Sequence, residues 1–332
     1  MFWKSKTKAK PTRKIQIPNK PGDPLSWANY SGQEPLKRRL QLRIEAMEAG
    51  AQLKALFYGP FGYGKTALAR VLANEMFQEN LVDHYIETIG LNFQTKLDVD
   101  DFVLRLKPFT FVFIDEIHTL TAGIREAFYT AIQDNWHLPY KKQRRVQLPP
   151  GICWVGATTQ LGQVHPSLQR RLLPIQLEPL NELELARITQ NQKVGVDSDA
   201  AELMAKRCTT PWEIKDELYA TSEDIVVSRE LKRVTIKVVT ESCDILGIDG
   251  HGLRPRERRV LEALWHSPRT VKSWGWKAYA LSQPSLIAIS ELDKETYVNY
   301  VEPKLLRLGF IKVSSIGREL TTEALNTYFG GV

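Results

Sequence analysis

The stretch that constrains this chain most is KALFYGPFGYGKTALARVLANEMF, residues 54–77. A short apolar run passes through three glycines into a segment whose apolar residues recur at helical spacing. Gly59, Pro60, Phe61, Gly62, Tyr63, Gly64, Lys65 and Thr66 fit the pattern GxxxxGK[ST]. Glycines at these places let backbone N–H groups curl around phosphate, and the helix that follows presents the positive end of its dipole. Lys65 would then reach the terminal phosphates, and Thr66 would ligate Mg²⁺. Eight residues can match by chance as a plain glycine turn. The position between a buried strand and an amphipathic helix favours a nucleotide cradle, made of Gly59, Pro60, Gly62, Tyr63, Gly64, Lys65, Thr66 and Ala67.

Two further apolar runs complete a pattern. FTFVFIDE (109–116) and ICWVGATT (152–159) read as buried strands, and strands alternating with helical segments indicate a doubly wound α/β sheet. An acid at the end of a buried parallel strand faces the ligand crevice, so Asp115 is placed to hold Mg²⁺. Glu116 beside it is placed to orient or deprotonate a water attacking a γ-phosphate. Two acids together argue for hydrolysis of ATP over passive binding. Thr159, with Thr158 behind it, can touch the γ-phosphate. In HPSLQRRLLP, Arg170 and Arg171 interrupt an apolar helix end; alone they read as surface charge, and in an oligomer Arg171 fits an arginine finger reaching a neighbour's nucleotide.

A chain of 332 residues exceeds what one hydrophobic core supports, so two or three domains are expected. No run approaches eighteen consecutive apolar residues. Cys153, Cys208 and Cys243 are far apart and read as buried thiols, which fits a cytoplasmic protein. The location of the net charge of +7 matters. Residues 1–20 hold seven Lys or Arg and no acid, so this arm equals the whole excess and the remainder is neutral. Within that remainder, residues 254–332 carry twelve basic and eight acidic residues, leaving the middle acidic. Positive charge at both ends suits nucleic-acid contacts through an arm and a C-terminal module; a solvated, disordered tail is the plainer reading of the arm.

IPNKPGDP breaks any regular structure after the arm. Ser31 and Glu34 stand at capping-box spacing ahead of a helix that Gly50 stops. From Asn181 to about Leu246 the pattern is helical, as in NELELARITQN and DAAELMAKR, and LGIDGHGLRP is a linker. Beyond it, DKETYVNYVEPKLLRLGF, with Asp293 as N-cap, leads into a hairpin expected to turn at Gly317-Arg318. Helix plus hairpin is a winged-helix pattern, whose candidate DNA contacts are Arg318 at the wing tip, Lys312 and Arg256. A winged helix serving protein contacts alone is the alternative. Trp274, Trp276 and Tyr279 in SWGWKAY read as core or interface aromatics.

Taken together, NYSGQEPLK, YGPFGYGKTALARVLANEM, FVFIDEIHTL, LPPGICWVGATT and LGIDGHGL resemble the RuvB family of AAA+ motors, from about Ser26 to the C-terminus. The resemblance implies an α/β fold, an AAA+ P-loop domain with a doubly wound parallel sheet, followed by a helical lid and a winged helix. The expected bounds are 1–24 for the basic, disordered arm, 25–180 for the nucleotide-binding domain, 181–247 for the lid and 248–332 for the winged helix. It also implies a homo-hexameric ring on double-stranded or four-way-junction DNA with a RuvA-like partner, and it puts Tyr30 in the segment lining the adenine pocket. Three places depart from the family. Trp212 in TTPWEIKDEL stands where the pattern has a lid arginine, with Lys215 a possible substitute. The hairpin carrying YKKQRRV is short and basic, which suggests another partner or DNA. The arm and the insert RTVKSWGWKAYALSQPS have no counterpart. Two rivals share the ATP motifs: a loader or remodeller of a helicase, clamp or recombination complex, and a nucleotide-gated winged-helix regulator.

Overall fold

The computed structural model describes residues 15–18, 23–48, 50–139, 144–270 and 277–330. The chain divides into two units, Met1–Lys193 and Val194–Val332. The first holds α1 (Glu34–Glu48), β1 (Lys54–Tyr58), α2 (Lys65–Gln78), β2 (His84–Ile89), α3 (Lys96–Leu104), β3 (Thr110–Asp115), α4 (Ala122–Asp134), the two-residue strands β4 (Trp136–His137) and β5 (Val146–Gln147), β6 (Cys153–Thr158), α5 (Pro166–Arg171), β7 (Leu173–Gln176) and α6 (Glu182–Ile188). Strands β2, β3, β6, β1 and β7 pair in that order, all parallel.

Parallel strands buried on both faces need apolar residues at every position, and β3 meets this with TFVFID. Phe111 and Phe113 join Leu68, Leu72 and Met76 of α2 in one core, while Val112 and Ile114 join Val99, Val103 and Phe128 in the other. Each such side chain contributes roughly 1.5–3 kcal/mol when fully buried. The doubly wound sheet is therefore present as the alternating pattern implies.

Two local expectations are corrected. The Ser31–Glu34 capping box does not form: Gly32 and Gln33 turn through positive φ (71° and 59°), and Ser31 Oγ donates to the Glu184 carbonyl at 2.5 Å. The box belongs to α6, where Asn181 caps and Glu184 returns the bond. Ile15 and Ile17, inside the expected disordered arm, are partly buried against the first core. The remaining arm residues 1–14 and 19–22 lie outside the described residues, as do Tyr140–Gln143 of the basic hairpin and 271–276 of the insert with Trp274 and Trp276.

The second unit begins with α7 (Ser198–Arg207), a π-helical stretch Glu213–Tyr219 running into α8 (Ala220–Ser228), and α9 (Ile236–Leu246). Gly247, at φ 64°, ends α9 in the left-handed conformation that favours glycine. Then come α10 (Pro255–Trp265), β8 (Pro268–Thr270), β9 (Lys277–Leu281), α11 (Gln283–Ile289), α12 (Lys294–Thr296), α13 (Glu302–Arg307), β10 (Ile311–Ser314), β11 (Gly317–Leu320) and α14 (Thr322–Phe329). Asp293 caps α12, accepting from Thr296 N at 2.8 Å. The antiparallel sheet runs β10-β11-β9-β8 around a core that includes Val260, Leu264, Leu286, Tyr297, Leu305 and Phe310. The insert thus supplies β9 as the strand beside the wing. The wing turns at Ser315–Ile316, not at Gly317-Arg318, because Gly317 pairs with Ser314. A Cβ at Gly317 would stand 2.3 Å from the Leu281 carbonyl oxygen, so glycine is what lets β11 approach β9.

One buried ion cluster ties this unit together. Glu213 Oε1 accepts Arg254 Nη1 at 2.9 Å and Lys304 Nζ at 2.7 Å, while its Oε2 accepts Thr209 N at 2.5 Å and Thr209 Oγ1 at 2.9 Å. Arg254 Nη2 also pairs with Glu217, and Arg307 donates to the Thr209 carbonyl.

Candidate nucleotide site

Because β6 lies between β3 and β1, the C-terminal ends of these three strands deliver their loops to one place. The loop after β1 turns through positive φ at Gly62 (79°) and Gly64 (87°). Gly64 caps α2 with no side-chain hydrogen bond, and the first intrahelical bond runs from Leu68 N to Gly64 O at 2.8 Å. The N–H groups of Lys65, Thr66 and Ala67 therefore have no acceptor within the helix and are available to an anion. Lys65 Nζ donates to the Gly59 and Pro60 carbonyls at 2.8 and 2.9 Å. Burial lowers the pKa of this ammonium, against the opposing pull of Glu116 and Asp115.

Thr66 Oγ1 donates to Asp115 Oδ2 at 2.7 Å, and Glu116 N donates to Asp115 Oδ1 at 2.9 Å. Burial raises the Asp115 carboxyl pKa, with these two bonds acting the other way. A hydroxyl and a carboxylate at one spot are the hard oxygen donors that Mg²⁺ takes when substrate phosphates and water fill its remaining positions. Among the described residues, no cluster of three or more His, Cys, Asp or Glu could hold a metal by itself.

Glu116 sits at φ 45°, which turns its side chain towards the end of β6. Thr159 Oγ1 donates to Glu116 Oε2 at 3.3 Å, and His118 Nδ1 stands 3.0 Å from the same oxygen. His118 Nδ1 is also 3.0 Å from Thr158 Oγ1, which accepts Gln160 N at 3.0 Å. Burial works against the charge on Glu116, but His118, Lys65 and the Thr159 backbone outweigh it and hold the carboxyl below its ordinary value. The turn needs Gly90 alongside: a Cβ there would lie 2.4 Å from Thr119 Oγ1 and 2.8 Å from the Glu116 carbonyl oxygen.

Tyr30 is buried beside the cradle, its hydroxyl donating to the Gly64 carbonyl at 3.4 Å, and burial pushes its phenol pKa up. Lys65, Thr66, Asp115, Glu116, Thr159 and Tyr30 are thus brought together. Arg170 and Arg171 are not. They line a cavity of about 520 Å³ with Lys54 and Gln133, at the start of β1 instead of its end. The Arg171 guanidinium lies 4.6 Å over the Tyr129 ring and donates to the Ser167 carbonyl at 3.0 Å.

In the second unit the three cations singled out for DNA are each engaged by an acid. Arg318 Nε meets Glu302 Oε1 at 2.5 Å, Lys312 Nζ meets Glu319 Oε2 at 3.2 Å, and Arg256 Nε meets Glu257 Oε1 at 2.8 Å. Arg318 stands on β11, past the wing tip, and Val313 and Ile316 are the exposed apolar residues there. Trp212 packs edge-on against Tyr300, with ring centroids 6.1 Å apart, next to the buried Glu213. Sequence reasoning missed His118, Lys54 and Glu213. His118 was visible in FVFIDEIH, but its role depends on the left-handed turn at Glu116, which has no composition signal.

Residues 23–177 match the family described as the Holliday junction DNA helicase RuvB P-loop domain, and residues 250–328 match the RuvB C-terminal winged helix domain. The Holliday junction branch migration complex subunit RuvB of Synechococcus sp. (strain RCC307) is 32% identical over 90% of this chain and 86% of its own length. The subunit of the same name from Kosmotoga olearia is 31% identical over 91% and 88%. The structure of the Thermotoga maritima RuvB Holliday junction branch migration motor superposes with a TM-score of 0.77 at 27% identity, covering 92% of this chain and 98% of that one. The chain belongs to the RuvB family of AAA+ P-loop ATPases.

Proposed function

We propose that this protein is an ATP-driven DNA motor of the cytoplasm. It assembles as a homo-hexameric ring, translocates duplex DNA and drives branch migration of four-way junctions with a RuvA-like or other protein partner. The observation that carries the reading is the convergence of Lys65, Thr66, Asp115, Glu116 and Thr159 at three adjacent strand ends, on a chain that also holds a winged helix. The N–H groups opening α2 and the Lys65 ammonium bind the phosphates. Thr66 and Asp115 hold Mg²⁺, which when bound screens phosphate charge and orients the terminal group. Glu116 accepts a proton from the attacking water, and Thr159 fixes the carboxylate that does so. Arg171, with Arg170 beside it, serves the nucleotide of a neighbouring subunit. The relatives' printed names supply the junction and the complex.

The test is ATPase activity with and without synthetic four-way-junction DNA, together with electron micrographs of the particles. Rings and junction-stimulated turnover are expected, and Glu116→Gln is expected to bind ATP while barely hydrolysing it. Turnover indifferent to DNA and the absence of rings would overturn the motor reading; normal turnover in the Glu116 variant would remove it as the base. The paired state of Arg318, Lys312 and Arg256, beside the exposed Val313 and Ile316, favours one second reading: a loader or remodeller whose winged helix grips a protein client. That protein would leave a bare four-way junction unmoved and act on it only with the client present.

A further inference from the structure

The geometry points to Lys54 as a third cation of the phosphate site that one subunit offers to its neighbour's nucleotide. The inference rests on the ring proposed above. Lys54, Arg170 and Arg171 supply three positive charges to one cavity, and the fourth lining residue, Gln133, is neutral. Arg170 is exposed and makes no hydrogen bond or ion pair among the described residues, and Arg171 Nε is buried with no hydrogen-bond partner there. Three like charges around one open space repel each other, and an anion entering it relieves that repulsion. The anion cannot be the chain's own nucleotide phosphate. Lys54 begins β1 and the cradle follows its end, so five residues of strand, roughly 15 Å at about 3.3 Å each, separate them. A phosphate reaching this cavity comes from outside the subunit, and charge developing on a transferring phosphoryl group is what such a cluster stabilises.

Lys54 also has a plain structural contact, a hydrogen bond from Nζ to the Gln133 carbonyl at the C-terminal end of α4, at 3.1 Å. The experiment separates the two roles by complementation between subunits. Lys54→Met alone should lower DNA-stimulated kcat roughly ten- to hundredfold, the size expected for one hydrogen bond to a charged group. It should leave nucleotide affinity intact, and Lys54→Arg should recover most of the activity. Mixed with Lys65→Ala, which contributes an intact Lys54 but no turnover of its own, Lys54→Met should regain activity above the sum of the two. The control mixes Arg171→Ala with Lys65→Ala in the same way. If the arginine variant is complemented and the lysine variant is not, the assignment of Lys54 is overturned and the ring reading stands. If neither is complemented, the trans arrangement itself fails. A lowered melting temperature in Lys54→Met with unaltered kcat would leave Lys54 as a helix-end contact only, which also overturns the assignment.

Discussion

Replacing Glu213 by Gln should destabilise the second unit by roughly 3 kcal/mol at neutral pH, and the amount follows from what surrounds the carboxylate. Glu213 is 5% exposed, and its two oxygens accept four hydrogen bonds, two of them from the buried cations Arg254 and Lys304. Burial alone would raise its pKa, but Lys304 and Arg254 more than reverse this and hold it at about 2, against an ordinary value of 4.5. At about 1.36 kcal/mol per pH unit, that difference corresponds to on the order of 3 kcal/mol. Removing one member of a buried ion pair typically costs about 3–5 kcal/mol by an independent route. Because the folded-state value is depressed, the contribution is complete above the unfolded pKa and disappears as pH falls through the folded one. Less than half should remain by about pH 3.

The assay is urea unfolding of the full chain from pH 7 down to pH 3, with amide hydrogen exchange in α7 and α9 to locate the loss. At pH 7 the variant should open these helices more readily and melt about 10 °C lower. Its deficit should shrink as acid neutralises Glu213 in the native chain as well. Lys304→Met should cost less in the Glu213→Gln background than alone, since the two share one interaction. A variant within about 0.5 kcal/mol of the parent at pH 7, where ordinary surface substitutions fall, would refute the claim that this cluster holds the unit together. So would a deficit independent of pH.

Two further perturbations test separate parts of the molecule. Gly317→Ala places a methyl group 2.3 Å from the Leu281 carbonyl oxygen at φ 130°, so the wing should be destabilised by about 1–3 kcal/mol; thermal unfolding followed by hydrogen exchange in β9 and β11 checks it. His118→Ala removes a contact that positions Glu116, so kcat should fall roughly three- to tenfold with nucleotide affinity unchanged. His118→Asn should restore part of the loss, and steady-state kinetics at saturating ATP measure both.

Much of the first unit was legible in the sequence because its information is local. GPFGYGKT carries its own backbone geometry, and TFVFID and CWVGAT are too uniformly apolar to be anything but buried strands. Strand-end chemistry follows at once, since a parallel sheet brings Asp115 and Thr159 beside the cradle whatever the intervening loops do. Misreadings arose where a local pattern had two solutions. Ser31 and Glu34 have capping-box spacing, yet a distant carbonyl, that of Glu184, takes the serine hydroxyl. SSIGRE can turn at either of two places, and the close approach of Leu281 decides between them. That approach involves a strand from the insert, which no motif announced.

The charge reading of the C-terminal module shows why formal counts mislead. Twelve basic residues against eight acidic ones in 254–332 suggest a surplus free to meet DNA phosphates. In the fold, Arg254 and Lys304 are spent on Glu213, a residue outside that segment, and Arg318, Lys312 and Arg256 face Glu302, Glu319 and Glu257. Five of the twelve therefore act first on the protein itself. Trp212 stands in the same surroundings, beside Glu213 and against Tyr300, at the position where the family resemblance places an arginine. An arginine adjacent to Glu213 would compete with Arg254 and Lys304 for one carboxylate in a low-dielectric site. An indole fills the space without adding charge, and the helix end becomes a joint to the winged helix.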